Sequence, residues 1–198
     1  MTIAFDVDGV LAEFDKAFQQ RIIDVTGKNL FLPGDDENPP HWDWPELRGY
    51  TRQDMRAVWK SIVTDTEFWF DLGRTSGACD LELVINAIQE FNTVYFITAR
   101  NGKRVKEQTE DWLMVVLGIK PVVHIRKDKG TACRELNVDA YIDDKWENVL
   151  DVCEQSPTTR TYLLNRNYNQ ADDAQYQQYG YVRVDSVQEM LNRELPNM

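Results

Sequence analysis

Apolar residues along this chain fall into short runs separated by amphipathic stretches. The run at 2–7 (TIAFDV) begins almost at the N-terminus and is closed by Gly9, so it reads as a buried strand. Residues 14–26 carry Phe14, Phe18, Ile22 and Val25 on one helical face. Residues 31–49 lose all periodicity: Pro33, Pro39, Pro40 and Pro45 sit among Gly34, Asp35, Asp36 and Asn38, which predicts irregular structure. A second helix is expected from Thr51 to about Val63, with Thr51 as cap and Asp54 in the acidic first turn.

From about residue 79 a regular alternation sets in. A helix carrying Leu81, Val84, Ile85 and Ile88 leads to the run Thr93–Ile97. Helices at 103–117, 129–136 and 145–155 then alternate with runs at 121–125, 139–142, 160–164 and 181–184, before a last helix. Short apolar runs alternating with helices predict an α/β fold with a mostly parallel sheet and crossover helices. The expected division is a core of residues 1–13 and 76–198, interrupted by a small, mostly helical cap at 14–75.

The chain has 198 residues and a net charge of −11, from 33 acidic and 22 basic side chains. That field repels a phosphate backbone, so sequence-independent nucleic-acid binding is disfavoured, whereas a small phosphate ester held by local cations is not. No apolar stretch approaches the ~18 residues of a membrane span. Asp6 and Asp8 interrupt the early apolar run, so no signal peptide is expected. Cys79, Cys133 and Cys153 are odd in number and show no C-x-x-C, which argues against a disulfide framework or a zinc site and for a reducing, cytoplasmic setting.

In parallel α/β sheets, ligands bind beyond the carboxyl ends of the strands. The polar residues just after the expected strands are therefore the candidates. They are Asp6 and Asp8, then Thr98-Ala99-Arg100, then Arg126 to Lys129, then Asp143-Asp144. Taken singly each has an ordinary explanation: a D-x-D-G turn, a strand-ending Thr, a solvated basic face, a helix cap with an acidic first turn. Taken together they place four acids, a hydroxyl and several cations on one rim. Such carboxylates suit Mg²⁺, a hard cation with oxygen ligands. Thr98, adjacent backbone N–H groups and a lysine can clamp a phosphate. One acid can attack phosphorus while a second moves the proton.

The segments FDVDGV (5–10), ITAR (97–100), RKDKG (126–130) and YIDDK (141–145) resemble the four motifs of the haloacid dehalogenase (HAD) superfamily in order and spacing. The resemblance implies a HAD-like Rossmannoid sheet. It implies Asp6 as nucleophile, Asp8 as general acid/base and Thr98 as phosphate ligand. It also implies Mg²⁺ held by Asp6, Asp144 and the Asp8 carbonyl, with Asp143 acting through a water. Lys129 is the expected motif lysine, with Lys127 as the alternative. Ala99 and Arg100 are expected at the substrate.

Within that superfamily the chain looks like the 5′(3′)-deoxyribonucleotidases. The similarity lies in D-x-D-G-V-L-A-x-F at 6–14, F-W-F-D-L at 68–72, and Y-L-L-N-R-N-Y-N at 162–169. It implies a nucleoside 5′-monophosphate as small-molecule substrate. Thr98-Ala99-Arg100 departs from that family's Thr-Ser-Pro and is closer to polynucleotide 3′-phosphatases, which keeps an end-repair enzyme as an alternative. A non-catalytic phosphate-binding regulator is the third. Four of the six tryptophans lie in the insertion (Trp42, Trp44, Trp59, Trp69), either as its core or as a wall for a base. Phe18, Trp44 and Trp69 are the expected base contacts. Arg74 is left between substrate and surface; Lys103 and Arg104 read as surface charges. Lone His41 and His124 are expected to have no catalytic role.

Overall fold

The computed structural model describes residues 1–35, 39–41, 43–78, 81–170 and 177–195. Trp42 and Cys79, and part of the polar segment near 165–180, lie outside them. The strands are β1 (Thr2–Phe5), β2 (Thr93–Thr98), β3 (Val123–Ile125), β4 (Ala140–Asp143), β5 (Arg160–Leu164) and β6 (Val182–Val184). They form one parallel sheet in the order β3-β2-β1-β4-β5-β6. The chain runs outward from β1 to β3, then crosses back to β4 on the other side of β1. That reversal opens a crevice at the carboxyl ends of β1 and β4, where α/β sheets bind ligands.

Alternation along β1 sorts its side chains to the two faces. Ala4 joins Ile97, Cys133, Tyr141 and Val152 under α6 (Lys129–Glu135) and α7 (Trp146–Gln155). Ile3 and Phe5 join the larger core on the other face. There they meet α4 (Leu81–Phe91), α5 (Val105–Leu117) and the C-terminal helix Val187–Glu194. Both faces are covered, which is why the strands read as continuous apolar runs rather than alternating ones.

Residues 14–75 leave the sheet after β1. Phe18 and Ile22 of α1 (Phe14–Thr26) pack with Val58 and Ile62 of α3 (Arg52–Thr64) in the same apolar cluster as the sheet. Thr51 and Asp54 cap α3 reciprocally, as the sequence suggests. The stretch expected to be irregular contains one short turn of helix, α2 (Trp44–Leu47), with Pro45 in its first turn, where its missing N–H costs nothing. The return segment is tied to the core. Trp69 Nε1 donates to the Asn101 carbonyl at 3.0 Å, and Trp112 Nε1 to that of Leu72 at 2.7 Å.

Candidate active site

Strand β1 ends one residue before Asp6, whose N–H still donates to the Ile142 carbonyl of β4 at 2.9 Å. The chain then turns sharply: the N–H groups of Leu11 and Ala12 both reach the Val7 carbonyl at 2.8 Å. Gly9 makes the turn with φ +77°, and a Cβ there would stand 2.2 Å from Asp144 Oδ2. Only glycine combines that backbone angle with that approach.

Asp6 is nearly enclosed, and the fully buried Lys129 ammonium donates to Asp6 Oδ1 and to the Ile97 carbonyl. Burial pushes the Asp6 carboxyl up to about 7; Lys129 pulls it down, and Asp143 and Asp8 push it up. Burial also works against the Lys129 charge, but Asp6 and Asp143 outweigh it and hold the ammonium above its ordinary value. The buried lysine is thus a fixed cation beneath Asp6. Lys127, in contrast, is exposed and lines the cavity above.

Asp143 and Asp144 end β4. The Tyr141 hydroxyl donates to Asp143, as do Asn148 Nδ2 (3.1 and 3.0 Å) and the Lys145 N–H (2.8 Å). The Tyr168 hydroxyl donates to Asp144 Oδ2. Asn169 Nδ2 donates to the Asp144 carbonyl at 2.8 Å, and Arg166 Nη2 to that of Gly9 at 2.6 Å. Burial raises Asp143 to about 6 and Asp144 to about 7; Lys129 offsets part of the first, and Asp6 adds to the second. One oxygen from each of Asp6, Asp143 and Asp144 lies within 4.8 Å of the others. Three buried carboxylates so close, with Lys129 acting on Asp6 and Asp143 and Arg166 on Asp144, are short of positive charge, and their all-oxygen donor set suits a hard divalent cation. The residues therefore fit the metal that the motifs imply.

The Asp8 side chain lies outside that trio. It turns to Arg100, whose Nε and Nη2 approach it at 2.8–3.1 Å, and to the Thr98 hydroxyl at 3.4 Å. Arg100 is itself buried, donates to Thr109 Oγ1 at 3.1 Å, and lies over the rings of Trp69 and Trp112.

Above these groups opens a cavity of about 640 Å³. Asp6, Asp8, Thr98, Ala99, Arg100 and Asp144 line it on the sheet side, and Phe14, Trp59 and Trp69 on the other. Trp69 is thus at the site. Phe18 and Trp44 instead line a smaller adjoining cavity. Arg74 turns away to the Val116 carbonyl, and Arg104 pairs with Glu107. His41 Nδ1 accepts from the Asp43 N–H, and the His124 ring, which burial and then the Lys106 and Arg126 charges push below its ordinary value, is set edge-on against Tyr95. Cys133 and Cys153 are free, and burial pushes the Cys133 thiol up to about 12.

No protein-family model and no curated protein matches the sequence. Solved structures do match it over nearly their whole length. A HAD family hydrolase from Deinococcus radiodurans R1, with bound phosphate and sodium, aligns over 98% of this chain and 94% of its own (TM-score 0.59, 13% identity). The fold is HAD-like. A subfamily IA, variant 1 HAD-superfamily hydrolase from Geobacter sulfurreducens PCA shares it over 97% and 98% (TM-score 0.56, 12% identity). CbbY from Rhodobacter sphaeroides, in complex with phosphate, shares it over 93% of both chains (TM-score 0.51, 16% identity). This HAD-like sheet places Asp6, Asp8, Thr98, Lys129, Asp143 and Asp144 together. Arg166, Tyr168 and Asn169 join them, and their one sequence signal is the N-R-N-Y-N segment after β5.

Proposed function

We propose that this chain is a Mg²⁺-dependent phosphatase of nucleoside 5′-monophosphates, of the deoxyribonucleotidase kind. We read residues 14–75 as its cap and residues 1–13 and 76–198 as its core. The observation that carries the reading is the pairing of Asp6 on Lys129 with Asp8 on Arg100, two residues apart on one turn. It gives one fixed carboxylate to attack and a second, separately held, to move a proton. Two fold neighbours hold phosphate, which agrees with a phosphate ester as ligand.

In this mechanism a carboxylate oxygen of Asp6 attacks phosphorus. The P–O bond to the alcohol breaks, and the leaving oxygen takes the Asp8 proton. Asp8 then takes a proton from water, whose oxygen attacks phosphorus, releases phosphate and restores Asp6. The Thr98 hydroxyl and the N–H groups of Ala99 and Arg100 hold the phosphoryl oxygens. Asp6 and Asp144, with Asp143 behind them, would hold Mg²⁺, which when bound neutralises charge on the phosphoryl group. Phe14, Trp59 and Trp69 give the base a stacking wall.

The end-repair reading draws on Thr98-Ala99-Arg100 and the basic cluster around Lys103. Arg100 is buried and bonded to Asp8 and Thr109, and Arg104 pairs with Glu107, so no observation favours that reading. The test is phosphate release from deoxy- and ribonucleoside 5′-monophosphates and a 3′-phosphorylated oligonucleotide, with Mg²⁺, with EDTA, and with Asp6→Asn. Metal-dependent release from mononucleotides, lost in the variant, is expected. Release from the oligonucleotide alone overturns the substrate, and full activity of Asp6→Asn overturns the mechanism.

A further inference from the structure

A second cavity, of about 220 Å³, adjoins the first. Phe14 and Trp59 line both, with their rings stacked at 6.1 Å, so an aromatic pair forms the shared wall. The two chambers differ in charge. Lys127, Lys145 and Arg100 line the larger one beside Asp6, Asp8 and Asp144. Among its described lining residues the smaller one has no Lys, Arg or His; it has three carboxylates, Asp15, Asp43 and Glu46, and the rings of Trp44 and Trp59. Asp15 is the inner acid. Burial pushes its carboxyl up to about 7, and the field of Arg166 and the Trp44 hydrogen bond offset only part of that. Asp43 and Glu46 are exposed on the rim.

Aromatic faces and carboxylates around one small space attract an electropositive nitrogen, by ring quadrupole and by charge. An anionic group meets three carboxylates there and no cation among the described lining residues. We propose that the second cavity receives the far end of the leaving alcohol and selects one that presents an electropositive nitrogen to Asp15. This rests on the phosphatase reading for the first cavity. The substrate is then bipolar: phosphate at the Lys127 end, and an amino-substituted base or a substituted ammonium at the Asp15 end.

Two matched pairs test it on the full chain with Mg²⁺. dCMP and dUMP differ by an amino group for a carbonyl; phosphocholine and 3,3-dimethylbutyl phosphate differ by a charge. kcat/KM is measured for all four. Binding of the four corresponding alcohols, without phosphate, is read from tryptophan fluorescence, which requires no turnover. At least about a tenfold preference for the nitrogen-bearing member is expected in one pair, the size of a charged hydrogen bond. Asp15→Leu brings that ratio to within about twofold of one. Glu46→Gln, on the exposed rim, lowers it by less and serves if the Asp15 variant does not fold. Which pair discriminates names the source of the nitrogen. Equal or reversed preference in both pairs, in turnover and in alcohol binding, overturns the inference. dCMP and dUMP turned over equally, with no preference in the choline pair, leaves the nucleotidase standing without this chamber. Preference for choline with neither nucleotide hydrolysed leaves the chamber standing and removes the nucleotidase.

Discussion

Arg100 lays its guanidinium across the Asp8 carboxylate, with Nε 3.1 and 3.0 Å from the two oxygens and Nη2 2.8 Å from Oδ1. The fork is backed by Thr109 and by two tryptophan rings, so its plane is fixed before Asp8 meets it. A lysine carries the same charge but cannot reproduce two parallel bonds. In the proposed mechanism Arg100 is a positioning residue for the proton carrier, Asp8. Arg100→Lys is expected to lower kcat about 10–100-fold, part of the range general acid–base catalysis supplies, with KM changed less than about threefold. An unchanged kcat, or a loss confined to KM, contradicts that role.

Lys129 and Lys127 are two residues apart, yet only Lys129 is enclosed with Asp6. Removing one member of a buried ion pair strands the other's charge. Lys129→Met is expected to cost about 3–5 kcal/mol in urea unfolding, and to abolish turnover. Lys127→Met should stay within about 0.5 kcal/mol, as exposed substitutions do. Asp6→Asn in the Lys129→Met background should recover part of the lost stability, since the stranded charge is gone. Additive losses in that cycle would show that the pair does not couple.

The Tyr168 hydroxyl donates to Asp144, a candidate metal ligand, from the segment after β5. Groups that orient a metal ligand commonly set affinity by 10–100-fold. Tyr168→Phe keeps the ring and removes only that donor. It is expected to raise the Mg²⁺ concentration for half-maximal activity about tenfold, with kcat restored at saturating metal. Loss of kcat that excess Mg²⁺ does not restore would place Tyr168 elsewhere in the site.

The sheet was legible because strands buried on both faces leave continuous apolar runs, and every expected run became a strand. β1 is shorter than its apolar run: pairing stops at Phe5, and the turn closed by Gly9 carries Asp6 and Asp8 over the sheet edge. The rim acids and Thr98 were legible because each directly follows a run. Arg100 bonding to Asp8 was not, since a fork between two loops leaves no periodicity. Arg166, Tyr168 and Asn169 sit in a polar stretch whose residues each have ordinary loop roles; only the crossover from β3 to β4 brings them over β1. The short helix Trp44–Leu47 was masked by the prolines around it.

Asp54 caps α3, whose Met55 and Trp59 line the second cavity. Its carboxylate accepts from the Thr51 N–H at 2.9 Å and from Lys28 Nζ at 3.1 and 3.0 Å. The Thr51 N–H first, then Lys28 and the Thr51 hydroxyl, hold the carboxyl down at about 2. An unfolded-state aspartate titrates near about 3.9. Between those values the unfolded chain binds more protons, so stability falls as pH falls. The contribution is therefore complete above about pH 4 and gone below about pH 2. Melting temperatures of the protein and of Asp54→Asn should differ by a constant amount from pH 7 to about 5, then converge toward pH 2. Because Lys28 is exposed and Asp54 only half-buried, added salt should narrow the difference at pH 7. A gap that stays constant from pH 7 to 2 would mean the cap works through its shape alone, with no contribution from the Asp54 charge.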